Sequence, residues 1–357
     1  MKILAINYSL SGGDLPVEET HISTRRKAFV QRAADDAPAG RESIPGAYLR
    51  LLRHALAADF EVMVLLANGH GGMEGKGARL RKVSWLLQSV LTEWLVRIAL
   101  RSRSKVLVVV DLGDDRTIAR RDAWFLRRCA LYFKRELAAD VMNSLQLVVP
   151  WWTHIGLACF TPRVQDWARK LRPIPLGIPG PPPDPAGRQK KHDIFYCGTN
   201  RTMHFIRLEV EKVLERLEKD HGVKVCFPKE RIPRKEFAEA IADSWISISP
   251  SGVGWDCFRH YEVAAGGAAL LLSVPTIRWH RPLRDGKHCL YFLDGEDLEE
   301  RILELLPDKE RIAKLSAAGR EHVLRWHTFG AIRKYIFGEI ESCLAARNAG
   351  GKERDLG

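Results

Sequence analysis

Trp245–Val274 reads WISISPSGVGWDCFRHYEVAAGGAALLLSV. Trp245–Ser249 is short, alternating and β-branched, as a strand should be. A Pro/Ser/Gly loop follows, and a helix is expected over Asp256–Ala265, stopped by Gly266-Gly267. Ala268–Val274 is a continuous apolar run, the mark of a strand buried on both faces. Strand, loop, helix and buried strand in that order make a βαβ unit of a parallel sheet.

The same rhythm extends both ways. Strands are expected at His192–Cys197, Val223–Phe227 and His288–Leu293, and helices at 203–219, 234–243, 297–306, 309–325 and 329–346. The first half is less regular. Its expected strands are Lys2–Tyr8, Glu61–Leu66, Lys105–Asp111, Ala130–Phe133 and Gln146–Val149, with helices near 48–58, 79–103 and 117–127; 21–44 carries no clear pattern. Between the halves, Arg172–Lys191 (RPIPLGIPGPPPDPAGRQKK) holds seven prolines and three glycines. Proline fixes φ and removes a donor, so this segment is expected to link two domains. The fold class is α/β, with two Rossmann-like domains facing a cleft: an N-terminal domain over 1–178, a linker over 179–191, a second domain over 192–328, and a last helix over 329–349 that returns to the first domain.

Composition narrows the functions. At 357 residues and 46% apolar, the chain suits two ordinary globular domains. The seven cysteines include no CxxC pair, which argues against a zinc site or a disulfide framework. Val83–Leu100, the most apolar stretch, is interrupted by Gln88, Glu93 and Arg97, so a helix packed on a core is expected rather than a membrane span. MKILAINY at the start reads as a strand and not a signal peptide, and the expected setting is reducing and cytoplasmic, or peripheral at the inner face of a membrane. The net charge is +12, and residues 1–178 carry 27 Lys/Arg against 17 Asp/Glu, or +10 of it. An anionic partner is expected for that half: a lipid surface or an acidic glycan, with nucleic acid the least favoured. A nicotinamide enzyme is set aside, because Ser11-Gly12-Gly13-Asp14 after the first strand is no GxGxxG.

Candidate site residues follow from strand ends. In the second half, Ser249, Ser251, Gly252 and Gly254 let a backbone approach a ligand. Asp256, Arg259 and Glu262 follow at i, i+3 and i+6, offering a guanidinium to phosphate and a carboxylate to a vicinal diol. YCGTNR at Tyr196–Arg201 is a second such junction, where Gly198 and Thr199 offer donors and Arg201 or Arg207 adds charge. In the first half, Asp111 ends the strand KVLVVVD and is the first choice for a general base, with His154 of WWTH the fallback. Lys134 and Arg135, also after a strand, are candidate contacts for an anionic acceptor.

Residues 193–337 resemble the C-terminal domain of the two-Rossmann (GT-B) glycosyltransferases, closest to the spore-maturation-protein-like and group 1 families and more distantly to exostosins. The resemblance is carried by DIFYCGT (193–199), SPSGVGWDCFRHYEVAAGGAALLL (249–272) and GREHVLRWHT (319–328). In the first half it is thin, resting on LYFKREL (131–137) and IPLGIP (174–179). It implies transfer of a sugar from a nucleotide-sugar donor to a glycan, lipid-linked or other acceptor of the cell envelope, with no metal and no separate cofactor. It also implies that Glu262 meets the donor ribose and Arg259 the diphosphate. Many retaining relatives carry a second glutamate at the position of Gly254, so inverting and retaining outcomes both stay open. The alternative is a non-catalytic module of the same fold that binds an anionic glycan, nucleotide or nucleic acid.

Overall fold

The computed structural model describes residues 1–10, 15–23, 43–67, 78–101, 105–149, 161–198 and 205–354, with backbone only over 78–86 and 350–354. The chain divides into two compact units: Met1–Ile174 with Arg333–Gly357, and Pro175–Ile332.

Unit 1 is built on β1 (Lys2–Ile6), β2 (Glu18–Ile22), α1 (Ile44–Ala57), β3 (Val62–Leu66), α2 (Ala78–Ala99), β4 (Val106–Asp111), α3 (Ala123–Arg128), β5 (Leu131–Lys134), α4 (Val141–Leu145), α5 (Pro162–Lys170) and β6 (Leu171–Pro173). The strands form one sheet, ordered β2-β1-β3-β4-β5-β6 and parallel throughout. Every residue of VMVLL in β3 and VLVVVD in β4 is buried, as two-sided coverage by helices requires.

Unit 2 contains β7 (His192–Phe195), α6 (Phe205–His221), β8 (Val225–Cys226), α7 (Arg234–Ala242), β9 (Ser244–Ser249), α8 (Phe258–Gly266), β10 (Ala269–Ser273), β11 (Leu290–Phe292), α9 (Gly295–Leu305) and α10 (Lys309–Trp326). Its sheet is ordered β11-β10-β9-β7-β8, again all parallel. The last helix, α11 (Phe329–Arg354), starts in unit 2 and ends in unit 1, where Arg172 pairs with its Glu339 at 2.6 Å.

Three expectations need correction. Gln146–Val149 is a turn, not a strand. Asp140 caps α4 by accepting from the Met142 amide, and Val149 is buried from the turn that follows. Glu18–Ile22 and Leu171–Pro173, unassigned from sequence, are strands; the second carries the opening residues of the Pro-rich segment. The rest of that segment is no free linker. It packs within unit 2, where Lys190 donates to the carbonyls of Ala242, Ser244 and Gly267, and Lys191 pairs with Asp243.

The entry of the chain into unit 2 is tightly held. Ile178 bridges to Thr328, its amide donating to the His327 carbonyl at 2.8 Å. Gly177 sits at φ +68°, and a Cβ there would lie 2.3 Å from the His327 oxygen. The His327 ring is itself buried, stacked at 5.8 Å on Trp279, and its Nε2 donates to the Arg281 carbonyl. Burial lowers its pKa to about 3, a shift the Arg281 hydrogen bond only partly offsets.

Two predictions follow from that junction. Gly177→Ala and Gly187→Ala both place an L side chain at positive φ, but only the first also meets backbone. Urea unfolding is expected to show roughly 1–2 kcal/mol lost for Gly187→Ala and clearly more for Gly177→Ala. The second concerns acid. The folded pKa of His327 lies below its unfolded value of 6.5, so the unfolded chain takes up the proton first. Its contribution to stability is complete above about pH 6.5 and is lost as pH falls toward 3. His327→Gln is expected to remove about one proton from that dependence, flattening the acid limb by ~1.4 kcal/mol per pH unit. Parallel limbs in the two proteins would show that His327 does not titrate there.

Candidate functional site

In unit 2 the sheet changes direction between β7 and β9: the chain leaves β7 for β8 on one side, while β9, β10 and β11 build outward on the other. Loops beyond the carboxyl ends of such a pair diverge and leave a crevice where ligands bind. The two junctions singled out from sequence, Tyr196–Gly198 after β7 and Ser249–Cys257 after β9, both stand there. Thr199 and Arg201 lie outside the described residues, as does His154 in unit 1.

The β9 loop is fixed from within. The Ser251 amide donates to Ser273 Oγ at 3.0 Å, and the Gly252 amide closes a tight turn on the Gly254 carbonyl. Ser249 Oγ meets His260 Nδ1 at 2.8 Å, while His260 Nε2 lies 2.8 Å from the Trp255 carbonyl. A carbonyl only accepts, so Nε2 carries a proton. Cys257 Sγ lies 3.4 and 3.6 Å from the two ring nitrogens. Burial pushes the Cys257 thiol up, but the His260 charge and hydrogen bond outweigh it and bring it down to about 7. His260 was not a sequence candidate; its spacing from Ser249 joins a strand end to the helix after it, a pairing visible only once the loop is closed.

Asp256 turns inward, correcting the helix start expected there. The helix begins at Phe258, with Cys257 as its cap residue. The buried Asp256 carboxylate accepts from the Leu176 amide at 2.8 Å and from Tyr261 Oη at 2.5 Å. Trp279 Nε1 donates in turn to that hydroxyl at 2.8 Å.

What faces the crevice is cationic. Arg207, at the first turn of α6 and 6% exposed, donates from Nε to the Ser251 carbonyl at 3.1 Å. A Cβ on Gly252 would come within 3.2 Å of its Nη2, so the glycine makes room for the guanidinium. The Arg207 pKa is lowered, first by burial and then by the charge of Arg259. Arg259 lies over the Tyr196 ring at 6.0 Å, and its buried Nη1 has no hydrogen-bond partner. Tyr196 Oη is likewise buried and unpartnered, and Gly198 leaves it space, since a Cβ there would lie 2.4 Å away. Arg207, Arg259 and Tyr196 thus form a set of donors, with Glu211 close enough to act on Tyr196 and Glu262 close enough to act on Arg259.

One turn along α8, Glu262 lies between this set and a cavity of about 690 Å³ lined by Pro179, Pro185, Arg234, Phe237 and Ile241. Burial raises the Glu262 pKa against the opposing charges of Arg234 and Arg259.

In unit 1 the strand-end charges pair with one another. Asp111 and Lys134 face each other in register across β4 and β5. The Asp111 carboxylate accepts from Lys134 Nζ at 3.0 Å, Tyr132 Oη at 3.1 Å and the Gly113 amide at 2.9 Å. Three of the roughly four acceptor positions of the carboxylate are thereby occupied, two on Oδ2 and one on Oδ1. Lys134 is spent on it, and the buried Arg135 pairs with Asp114 and lies 3.6 Å from Glu136. Neither is placed as an open anion contact. Nearby Asp122 is pushed up to about 7, by burial first and the Asp111 charge second.

Residues 210–337 match a family model described as glycosyl transferase-like. No curated protein matches the chain in sequence. Among solved structures, Anabaena Alr3699/HepE in complex with UDP and glucose is similar over 96% of this chain and all of its own, at 12% identity and a TM-score of 0.51. A glycosyltransferase from Rickettsia africae ESF-5 is similar over 96% of this chain and 98% of its own, at 11% identity and a TM-score of 0.52. TarM matches more loosely, at 9% identity and a TM-score of 0.46, and this chain spans 58% of its length. The first two share the fold with this chain: two Rossmann-like domains of the GT-B architecture.

Proposed function

We propose that the protein is a glycosyltransferase and that unit 2 binds a nucleotide-sugar donor at the ends of β7 and β9. The observation that carries this reading is the pair of mutually repelling guanidiniums, Arg207 and Arg259, beside the unpartnered Tyr196 hydroxyl, next to Glu262 and a largely apolar cavity. Two guanidiniums that repel each other are stabilised by an anion between them. A diphosphate supplies two negative charges and many acceptors. Glu262 then stands where ribose hydroxyls would donate, and the cavity beyond has the size and lining for a base. The glycosyl transferase-like match over 210–337 and the fold shared with UDP-bound HepE support the same donor class.

In the transfer, the acceptor oxygen bonds to the anomeric carbon as the carbon–oxygen bond to the diphosphate breaks, and the nucleoside diphosphate leaves with the bonding pair. The arginines neutralise the charge that develops on that leaving group, the part a divalent ion plays elsewhere. The acceptor proton needs a base outside this set. Asp111, held by three donors, and His154 are its two candidates.

Calorimetry with nucleoside diphosphates and inorganic diphosphate tests the site. Arg259→Met is expected to weaken both ligands by about 10- to 150-fold, the worth of a charged hydrogen bond. Glu262→Gln is expected to weaken the nucleotides alone. Equal losses for both ligands in Glu262→Gln would remove it from the ribose position. Slow hydrolysis of one nucleotide sugar among UDP-, GDP-, dTDP- and CMP-linked donors is expected without acceptor; selective binding with no turnover would point to a non-catalytic module.

A further inference from the structure

A second feature, in unit 1, is independent of the donor site. Twelve large apolar side chains are exposed among the described residues, and six of them stand on two packed helices: Leu49 and Leu56 on α1, and Leu87, Val90, Leu91 and Trp94 on α2. Their exposure runs from 39% for Leu91 to 68% for Leu49. On α2 the spacing is i, i+3, i+4 and i+7, one continuous stripe. The opposite face of that helix, with Ser89, Thr92, Leu95, Val96 and Ala99, is the one buried. The normal pattern is therefore doubled: this helix is apolar toward the core and apolar toward water. α1 lies beside it, with Tyr48 Oη donating to the Gln88 carbonyl and 3.1 Å from Thr92 Oγ1. At about 100° per residue, Leu56 and Leu49 follow Tyr48 round the α1 surface by roughly 80–100°, which extends the stripe.

The charge of the two helices is one-sided. Arg50, Arg53, Arg79, Arg81, Lys82 and Arg97 stand against a single acid, Glu93, which Arg97 already holds. No helix among the described residues is long and apolar enough to cross a membrane.

We propose that this face of α1 and α2 docks on an anionic lipid surface. A stripe of Leu, Val and Trp on two helices with six Lys/Arg and one acid matches the boundary between acyl chains and headgroups, where Trp settles and basic side chains meet phosphate. A second copy fits less well, because a two-fold contact would bring the same cationic face against itself. An acidic protein would satisfy the charge but leaves the apolar stripe to a matching groove.

The test is sedimentation of the full chain with phosphatidylglycerol–phosphatidylcholine vesicles and with pure phosphatidylcholine vesicles. Binding is expected to the first only, and to fall as salt is raised. The triple variant Arg79→Ser, Arg81→Ser, Lys82→Ser is expected to lower partitioning on the order of 100-fold, from the roughly fivefold that each basic residue contributes near an anionic surface. Leu87→Ser with Trp94→Ser keeps every charge, and it is expected to lower partitioning at least about tenfold, the worth of removing two apolar side chains from the lipid boundary. Because both side chains are exposed, its melting temperature should match the parent. Absence of binding to anionic vesicles at low salt overturns the proposal, as does binding that the Leu87/Trp94 variant leaves intact. Light scattering that shows a dimer dissolved by that variant, with lipid binding unchanged, would give the face to a second copy.

Discussion

The Asp256 carboxylate is the constraint on which unit 2 depends. A buried anion is costly unless its oxygens are met by donors, and here the donors come from two distant parts of the chain. One is the Leu176 amide, where the chain enters the unit; the other is the Tyr261 hydroxyl, one turn into α8. The charge also holds the Tyr261 proton in place, after burial has already raised its pKa well above the usual value. The entry segment, the β9 loop and the helix behind it therefore share one anchor. Gly177 at positive φ and the Ile178–Thr328 bridge are the local shape that this anchor demands.

Turning Asp256 inward has an electrostatic consequence. Had it pointed at the crevice, it would have paired with Arg259 and filled the position an anionic ligand needs. With the carboxylate spent on backbone and phenol, Arg207 and Arg259 are left near each other, and the repulsion adds to burial in lowering the pKa of Arg207. A site that carries unfavourable charge in its empty state has more to gain from a dianion than one already neutralised. The glycines act in the same direction. Gly252 yields its Cβ space to the Arg207 guanidinium and Gly198 to the Tyr196 hydroxyl, so donors can approach where a side chain would stand.

How much of this could be read in the sequence depended on range. Period and punctuation exposed the second sheet almost strand for strand, since buried parallel strands such as ALLLS are long apolar runs between glycines. They misread Gln146–Val149, because LQLVV looks equally apolar as a strand or as a turn folded onto the core. The short Leu171–Pro173 strand was hidden by proline, which an edge strand tolerates. Site residues divided in the same way. That Glu262 and Arg259 share one helix was legible from their spacing. The fates of Asp256 and Asp111 were not, because their partners, Leu176 and Lys134, lie 80 and 23 residues away. A carboxylate at a strand end reads as unpaired until the neighbouring strand's register puts a lysine opposite it.

The two units therefore distribute charge in opposite ways. In unit 1 the buried cations are neutralised inside the fold, Lys134 by Asp111 and Arg135 by Asp114, so they cannot supply the excess of +10 over residues 1–178. That excess must lie elsewhere in the half, and α1 and α2 carry part of it around an apolar stripe. In unit 2 the overall balance is nearly even, yet the Arg207 and Arg259 guanidiniums stand close enough to repel each other where the sheet opens. Net charge thus points to the surface that attracts an anionic partner at long range, where a broad field matters. It says nothing of the binding site, where two groups at close quarters in a poorly solvated crevice outweigh any total. A half near neutrality can thus bring two guanidiniums together at a sheet opening, and a strongly basic half can have its strand-end Lys134 and Arg135 paired within the fold.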